Sequence, residues 1–170
     1  IQLNEEEIIK NLDKTEIHYS YDNQKEFVFL DKIDVTKEIL SKEVEKSVSL
    51  ISKIPEVRNK MTELQRSIVN NKNFVVAGRD IGTVVLPEAE VKIFLIASIE
   101  ERAKRRLAER KDQTYLDIIE SMKNRDNIDS TRKIAPLKAP ENSLIIDTEG
   151  LNIIEVSNKI IKETDNEYSI

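Results

Sequence analysis

Short apolar strands alternate with helices over the second half of the sequence, and this order constrains the fold more than any other feature. Three runs are typical of buried strands, at residues 74–77, 91–97 and 144–146. Helical periodicity predicts helices over residues 99–110, 114–126 and 152–163. Strands that are separated by helices form parallel sheets with helical crossovers. The chain is therefore predicted to adopt an α/β fold with helices flanking a parallel sheet.

The sequence pattern of the first half of the chain predicts short strands and helices. Alternating apolar residues indicate a meander of short strands within residues 15–35. Helices are expected on both sides of this meander, with start signals at Asn4, at Thr36, at Ser41 or Lys42, and at Pro55. Pro55 would begin the longest of these helices.

The composition narrows the classes of function. The 170 residues suffice for one domain with a buried core, and 39% of them are apolar against 35% charged. A net charge of −5 argues against nonspecific binding to nucleic acids or membranes. The absence of cysteine excludes disulfides and thiolate metal sites, and it favours a cytoplasmic location. His18 is the only histidine, which excludes a histidine metal cluster and a Ser-His-Asp triad.

Arginines are concentrated on one stretch of this acidic chain. Six of the nine arginines lie between residues 102 and 132. Arg102 and Arg106 are one turn apart on a predicted helix, while Arg125 and Arg132 follow on the next helix and loop. Arginine presents a planar fork of donors that matches phosphate oxygens, and it keeps its charge when partly buried. The pattern indicates a clamp for phosphoryl groups; a merely solvated helix face is the alternative.

An aspartate and a short link support the interpretation of a phosphoryl clamp. Asp129 lies one helical turn after Arg125 and is expected to hold its guanidinium. The link between the two arginine-bearing helices, at residues 111–113, is short and polar. The two helices are therefore interpreted as a hinged flap.

The string Gly-Arg-Asp-Ile-Gly-Thr at residues 78–83 directly follows a predicted strand. Open α/β sheets bind ligands at the carboxyl ends of their strands. A glycine there is expected to permit a tight turn, so that Arg79 and Asp80 project into the cleft. An ordinary turn with a surface ion pair is the alternative. The string is not a Walker A loop, which needs a lysine and then Ser or Thr after the second glycine, and the sequence contains no such loop.

Two residues of the first half are also candidates for function. Arg58 falls in the first turn of the helix that Pro55 begins, where backbone amides favour anions; a surface arginine is the alternative. His18 in the meander is interpreted as a packing or surface residue rather than as a catalytic base.

These motifs, in this order, resemble those of bacterial cytidylate kinases, the (d)CMP kinases among the P-loop nucleoside monophosphate kinases. The similarity is most specific at residues 77–85, 91–95, 101–106, 125–132 and 135–137. It implies a P-loop-kinase-like parallel sheet, a small β-containing CMP-binding insert at about residues 15–60 and a helical lid at about residues 100–135. It also implies a single kinase domain over residues 1–170.

The resemblance carries over a set of residues on the CMP side. These substrate-binding positions are Ser49, Arg58, Arg79, Asp80 and Asp129. Asp80 and Ser49 would face the cytosine or the ribose, and Arg58 would reach the phosphate. Asp129 resembles the aspartate that recognises the sugar hydroxyls.

The remaining carried-over residues are arginines that act on the phosphoryl groups. Arg125 and Arg132 match the catalytic arginines, which neutralise charge on the transferred group. Arg102 and Arg106 match the beginning of the lid that closes on ATP. No residue is carried over as a metal ligand. One cleft is predicted to be lined by five of the carried-over residues, Arg58, Asp80, Arg125, Asp129 and Arg132.

One part of the family pattern does not occur in this sequence. Such kinases begin with a strand and a Walker A loop, whose lysine and amides cradle the ATP phosphates and whose Ser or Thr holds Mg²⁺. The sequence begins at Ile1 and contains neither of these motifs. We therefore expect a truncated kinase, inactive alone, whose full-length form transfers the γ-phosphoryl of ATP to CMP or dCMP. ATP would be the co-substrate, and Mg²⁺ would be held mainly through ATP.

Two alternatives stay open. The first is a kinase for another monophosphate such as UMP or AMP, against which the long insert argues. The second is a noncatalytic module that binds nucleotides or anions and never had a P-loop. The expected partners are small nucleotides, with neither nucleic acid nor membrane, and the chain is expected to be a monomer. The sequence does not indicate a preference between CMP and dCMP.

Overall fold

The computed structural model describes residues 4–23, 25–70, 73–109 and 113–168. The chain divides into two compact units, residues 1–75 and residues 76–170. Each unit has its own sheet and its own helices. None of the helices in the described ranges is long and apolar enough to cross a membrane.

The first unit opens with a helix and an antiparallel meander. Helix α1 (Glu5–Leu12) is capped by Asn4, whose side chain accepts a hydrogen bond from the Glu7 amide. Strands β1 (Ile17–Asp22), β2 (Lys25–Leu30) and β3 (Ile33–Asp34) follow, and they pair in that order. Asp31 and Lys32 have positive φ angles, which suit the two-residue turn between β2 and β3. The predicted helix and meander are confirmed.

Two helices complete the first unit. Helix α2 (Lys42–Ile51) begins after Ser41, whose side chain accepts a hydrogen bond from the Val44 amide. Helix α3 (Pro55–Val69) has Pro55 in its first turn, as predicted, where the missing N–H is harmless.

The prediction that Thr36 caps a helix over residues 37–42 is wrong. Only a 3-10 turn forms there, Glu38–Leu40, and it has no side-chain cap. The Thr36 hydroxyl instead donates to Asp34 Oδ1 at 2.6 Å and accepts from the Val28 amide at 3.0 Å. These bonds fasten the end of the meander, so the hydroxyl is not available for a helix start.

The second unit contains the predicted parallel pairing. Strands β4 (Ile93–Ile96) and β5 (Leu144–Asp147) pair in parallel, from Ile93 opposite Leu144 to Ile96 opposite Asp147. Helices α4 (Ile99–Glu109) and α5 (Tyr115–Thr131) form the connection between them, and α6 (Ile153–Tyr168) follows β5. This arrangement confirms the α/β fold class.

The core of the second unit lies where these elements meet. Ala103 of α4 is completely buried, and Val85, Ile118 and Ile146 are each 2% exposed. Their burial fixes α4 and α5 against the sheet, because apolar area removed from water is the main stabilising contribution.

The predicted strand at residues 74–77 is not formed. The backbone there makes no ladder with any strand in the described ranges, and Val75 is fully exposed. A strand is stable only when a neighbour takes up its backbone hydrogen bonds, whatever its apolar content. β4 pairs with β5, and no strand described here flanks residues 74–77.

Helix α4 is anchored at the carboxyl end of the two parallel strands. The Glu149 carboxylate accepts hydrogen bonds from the Ser98 amide and hydroxyl, each at 2.8 Å, just before α4 begins. Arg105 of α4 donates to the carbonyl and hydroxyl oxygens of Thr148. Helix α4, which carries Arg102, follows β4 in the chain and is hydrogen-bonded to the residues that follow β5.

Candidate functional site

Two aspartates on helix α5 form the centre of an arginine cluster in the second unit. Asp126 and Asp129 are three residues apart, so their side chains lie on the same side of the helix. Arg79 approaches them from the loop after residue 78, Arg102 from α4, and Arg132 from the residue that ends α5. Three separate segments therefore deliver cations to one helix face.

The end of α5 is what brings Asp129 onto this face. The apolar pattern predicts a helix that ends at residue 126, whereas α5 continues to Thr131. Its start is a capping box in which the Thr114 hydroxyl and the Asp117 side chain each bond the other residue's backbone amide. Its last turns are mostly polar and contain Asp129, which pairs with Arg79, Arg125 and Arg132.

Asp129 is a buried carboxylate that three arginines approach. It is 2% exposed. Its Oδ2 lies 3.0 Å from Nη1 of Arg79 and 3.8 Å from Nε of Arg125, and its Oδ1 lies 3.2 Å from Nη1 of Arg132. Burial of a carboxylate to this extent is costly unless cations of this kind lie beside it. The predicted contact between Asp129 and Arg125 is present, at the longest of the three distances.

Both oxygens of Asp129 face guanidinium groups in this arrangement. Recognition of sugar hydroxyls by Asp129 therefore stays a prediction, and it requires one of the ion pairs to open.

Asp126 links two arginines that come from different elements. Its Oδ1 accepts from Nη1 of Arg79 at 2.8 Å, and its Oδ2 accepts from Nη2 of Arg102 at 2.8 Å. Partial burial raises the pKa of this carboxyl, but the hydrogen bonds from Arg102 and Arg79 outweigh that effect and hold the pKa below its ordinary value. Asp126 is therefore ionised throughout the neutral range.

Arg132 is held inside the protein by the turn that follows α5. Its side chain is 6% exposed, and its Nη2 lies 3.8 Å from Oδ1 of Asp80. Its Nε donates to the carbonyl of Ala135, whose φ of 50° lies in the left-handed region that alanine rarely adopts. Arg132 thus connects Asp129 with Asp80, as the predicted cluster requires, while its role in catalysis stays a prediction.

Asp80 begins a single π-helical turn, Ile81–Val85, directly after Arg79. The glycines around this turn are not explained by a strained backbone, because neither has a positive φ. A Cβ on Gly82 would lie 2.8 Å from Cγ of Pro140, and one on Gly78 would lie 2.7 Å from Cγ1 of Ile81. Close packing against the rigid Pro140 ring therefore favours glycine at position 82, whereas at position 78 a Cβ would require the Ile81 side chain to shift.

Arg125 and Arg106 are the other two predicted site arginines of the second unit. The side chain of Arg125 is 39% exposed, the largest exposure among the arginines that meet Asp129. Arg106 pairs with a residue of its own helix, since its Nη1 lies 3.9 Å from Oε2 of Glu109. The predicted hinge between α4 and α5 falls largely outside the described residues, which leave out 110–112.

The candidates in the first unit lie on its helices. Ser49 of α2 is 8% exposed. Arg58 of α3 donates from Nη1 to the carbonyl of Ser52, at the end of α2, at 3.2 Å. These two residues belong to a different unit from the arginine cluster, so a common cleft with it stays a prediction. His18 is an exposed residue of β1 with its ring centre 6.2 Å from that of Phe29, which agrees with its interpretation as a surface or packing residue.

A groove of about 900 Å³ lies in the first unit, between the meander and the 3-10 turn. Its lining includes Phe27, Val28, Ile39 and Leu40, and the described residues around it include no arginine. Lys25 and Lys37 are the cations among its described lining residues, whereas the convergent guanidinium groups lie in the arginine cluster.

The sequence argument did not select Asp126 as a site residue. The available signal was its spacing: it precedes Asp129 by three residues and follows Arg125 directly. The helical face that this spacing creates became evident only once α5 was seen to extend past residue 126.

The comparisons with known proteins agree over nearly the whole chain. The cytidylate kinase family model matches residues 1–166. A cytidylate kinase of Carboxydothermus hydrogenoformans is 44% identical over 167 residues, which is 95% of this chain and 75% of that protein. Cytidylate kinases of a Geobacillus species and of Fusobacterium nucleatum are 46% and 43% identical, over 93% and 91% of this chain and 72% and 73% of their own lengths.

Proposed function

The chain belongs to the cytidylate kinase family, and from this premise we propose that it provides the monophosphate-binding and lid parts of a nucleoside monophosphate kinase. The proposed reaction transfers the γ-phosphoryl group of ATP to CMP or dCMP and yields ADP with CDP or dCDP. The observation that supports this most is the convergence of Arg79, Arg102, Arg125 and Arg132 on two aspartates of one helix face.

Such a cluster suits phosphoryl transfer because the reaction asks little covalent chemistry of the protein. The transferred group carries charge on its peripheral oxygens, and catalysis consists mainly of positioning and neutralising that charge. Guanidinium groups match these oxygens with parallel donors and remain charged at neutral pH. The aspartates keep the arginines together when no ligand neutralises them.

The proposed roles follow the accessibility of each side chain. Arg125, the most exposed arginine around Asp129, would meet the transferred phosphoryl group first. Arg132 would act after Asp129 releases it, since it is buried between Asp80 and Asp129. Arg102 and Arg106 of α4 would close over ATP and exclude water, which prevents hydrolysis.

Four residues besides Asp129 are proposed to bind CMP on the basis of the family resemblance. Arg79 and Asp80 lie directly before the π turn, and Ser49 and Arg58 lie on helices α2 and α3. Asp129 would reach the sugar once one of its ion pairs opens. This arrangement is proposed from the family resemblance and from the residue types, which supply donors for phosphate and acceptors for a nucleoside.

The described side chains do not fit a resident Mg²⁺ site. No three metal-ligating side chains come together among the described residues, and Asp80, Asp126 and Asp129 each face arginines. Mg²⁺ would therefore arrive with ATP as part of that substrate. The sequence contains no Walker A string, so we expect the 170-residue chain not to phosphorylate CMP appreciably.

The proposal is tested by a coupled assay that follows ADP release. CMP, dCMP, UMP and AMP are offered at saturating ATP and Mg²⁺, first to the 170-residue chain and then to a chain extended at its amino end by the Walker A segment of a relative. We expect turnover from the extended chain with CMP or dCMP and none from the shorter one. Preference for UMP or AMP would overturn the substrate, and robust turnover by the shorter chain would overturn the need for the loop.

Arg132→Ala in the extended chain tests the arginine clamp. We expect a loss of turnover of at least about 100-fold, since removal of one oxyanion-stabilising donor costs about 10²–10³-fold and removal of an arginine that neutralises a transferred phosphoryl group costs more. Arg66→Ala on α3, outside the cluster, is the control. An Arg132→Ala enzyme with unchanged turnover would remove this residue from the mechanism.

A further inference from the structure

Asp126 has an arrangement that the proposed phosphoryl chemistry does not itself require. It uses one carboxylate oxygen for each of two arginines, at 2.8 Å in both cases. Arg79 comes from the loop at residues 78–80, and Arg102 comes from helix α4, 23 positions farther along the chain. A single carboxylate on a third element, α5, therefore sets the distance between them.

Each arginine uses only one terminal nitrogen for these contacts. Within the described residues, the side-chain ion pairs of Arg79 go through Nη1, to Asp126 and to Asp129, and that of Arg102 goes through Nη2 to Asp126. A guanidinium has five N–H donors, so most donors of both groups are left for a ligand. The side chains are 29% and 35% exposed, which lets an anion reach them.

We propose that Asp126 is a positioning residue that holds Arg79 and Arg102 as a two-arginine clamp for the phosphoryl groups of the bound nucleotides. The identity of the ligand rests on the proposed function, whereas the positioning rests on the ion pairs. Arg102 depends on Asp126 more than Arg79 does, because Arg79 also lies 3.0 Å from Asp129.

Two effects of the Asp126 charge oppose each other. As a negative charge it repels an anion, but salt and solvent screen that repulsion at a part-exposed site. As an anchor it orders two long side chains before the ligand binds, so that binding does not have to supply the entropy cost of immobilising them. The clamp requires the second effect to be the larger, so removing the charge should weaken anion binding.

Calorimetry with pyrophosphate as the probe tests this on the complete 170-residue chain. We expect Asp126→Asn to raise the Kd for pyrophosphate about fivefold, Asp126→Glu to recover part of the loss, and Glu120→Gln, an exposed carboxylate on the same helix, to leave the Kd unchanged. In an Arg102→Lys background, Asp126→Asn should raise the Kd less than twofold. Tighter or unchanged binding by Asp126→Asn would identify Asp126 as a plain repelling charge and overturn the proposal.

Arginine side-chain NMR tests the positioning without any ligand. Held guanidiniums give sharp Nε–H signals, which Arg79→Lys and Arg102→Lys assign. Asp126→Asn should broaden the signal of Arg102 strongly and that of Arg79 less, while circular dichroism confirms that the variant is folded. An unchanged Arg102 signal would overturn the proposal, and if Asp126→Asn does not fold, Asp126→Glu is judged by the same two signals.

Different experimental results would overturn this inference and the proposed function. Asp126-dependent pyrophosphate binding without phosphorylation of any monophosphate by the extended chain would overturn the function and support the clamp. Phosphorylation of CMP by the extended chain, together with pyrophosphate binding that Asp126→Asn leaves unchanged, would support the function and overturn the clamp. A chain that binds no pyrophosphate would overturn the clamp.

Discussion

Asp129 is the most deeply buried charged side chain of the arginine cluster. It is almost completely buried, and arginines lie on both of its carboxylate oxygens. Well-packed apolar residues can often replace a buried ion pair without loss, but the removal of only one partner leaves a charge without compensation. The residue therefore matters for stability as well as for any ligand.

Asp129→Asn is expected to lower the free energy of unfolding by about 3 kcal/mol, because Arg79 and Arg132 lose their buried counter-charge while the shape is kept. Urea denaturation followed by circular dichroism at neutral pH measures this. Glu120→Gln on the exposed face of the same helix is the matched control and should stay within about 0.5 kcal/mol of the unsubstituted chain. A stability of Asp129→Asn within the range of the control would contradict the assignment of Asp129 as the buried centre of the cluster.

At the scale of elements, the packing of the π turn and the anchoring of α4 place the arginines. The π turn follows Arg79 and Asp80 directly and brings Gly82 against Pro140, in the segment that leads to β5. Helix α4 begins at the carboxyl end of β4 and is joined to the end of β5 through Glu149 and Arg105. Arg79 and Arg102 therefore each belong to an element that packs against, or is hydrogen-bonded to, the segments next to the two-stranded sheet.

Gly82→Ala is expected to destabilise the chain by about 1–3 kcal/mol, because the new methyl group would lie 2.8 Å from the rigid Pro140 ring and force a backbone shift. Thermal unfolding detects the change. Restoring space with Pro140→Ala in the Gly82→Ala chain should recover part of the loss. If Gly82→Ala is as stable as the original and the second substitution adds only its own cost, the close approach is not the reason for glycine.

The Glu149–Ser98 connection predicts a pH dependence. Hydrogen bonds from the Ser98 amide, and then from its hydroxyl, hold the pKa of Glu149 below its ordinary value. A depressed folded pKa gives stability that is present above the unfolded value of about 4.3 and is lost as the pH falls through the folded pKa. Glu149→Gln should therefore be less stable than the original chain at pH 7.

The stability difference between the two chains should shrink as the pH falls below about 4, where the original carboxyl becomes protonated. Urea midpoints measured from pH 3 to pH 7 test this. Glu120→Gln serves as the control and should run parallel to the original chain. A difference that is the same at every pH would assign the effect of Glu149→Gln to packing instead of to ionisation.

At the scale of the whole molecule, a positive cluster is set in an acidic chain. The net charge is −5, yet four arginines meet three aspartates within the second unit. Long-range repulsion by the acidic surface disfavours polyanions, whereas a small anion experiences mainly the local arginines. A cytoplasmic location and a monomeric state remain predictions from the composition and from the family.

The contrast between the acidic surface and the local arginine cluster predicts that the chain binds small anions in preference to polyanions, and that salt weakens this binding. Raising NaCl from about 50 mM to 500 mM should lower the affinity for CMP or pyrophosphate about five- to tenfold, since the arginines are part-exposed and salt screens them. A fluorescent single-stranded oligonucleotide should not bind at about 150 mM salt, where basic nucleic-acid-binding proteins still bind. Tight oligonucleotide binding measured by anisotropy would contradict the prediction and indicate a polyanion surface.

Local pattern was sufficient for most elements and for the α/β class. The caps at Asn4 and Ser41, the position of Pro55 and the alternation in the meander all act within a few residues, and these elements form as predicted. The resemblance to cytidylate kinases also followed from sequence, because its motifs preserve the order of chemically specific residues.

Long-range contacts determined the structural features that the local sequence pattern could not predict. The apolar run at residues 74–77 has strand character, yet it forms no strand because a ladder needs a partner. The last turns of α5 have no apolar stripe, yet they are helical, and there Asp129 pairs with Arg79 from a distant segment as well as with its near neighbours Arg125 and Arg132. The pairing of Asp126 with Arg79 and Arg102 joins positions up to 47 residues apart. Spacing along the chain does not determine such pairs, since which charges meet depends on how the helices pack.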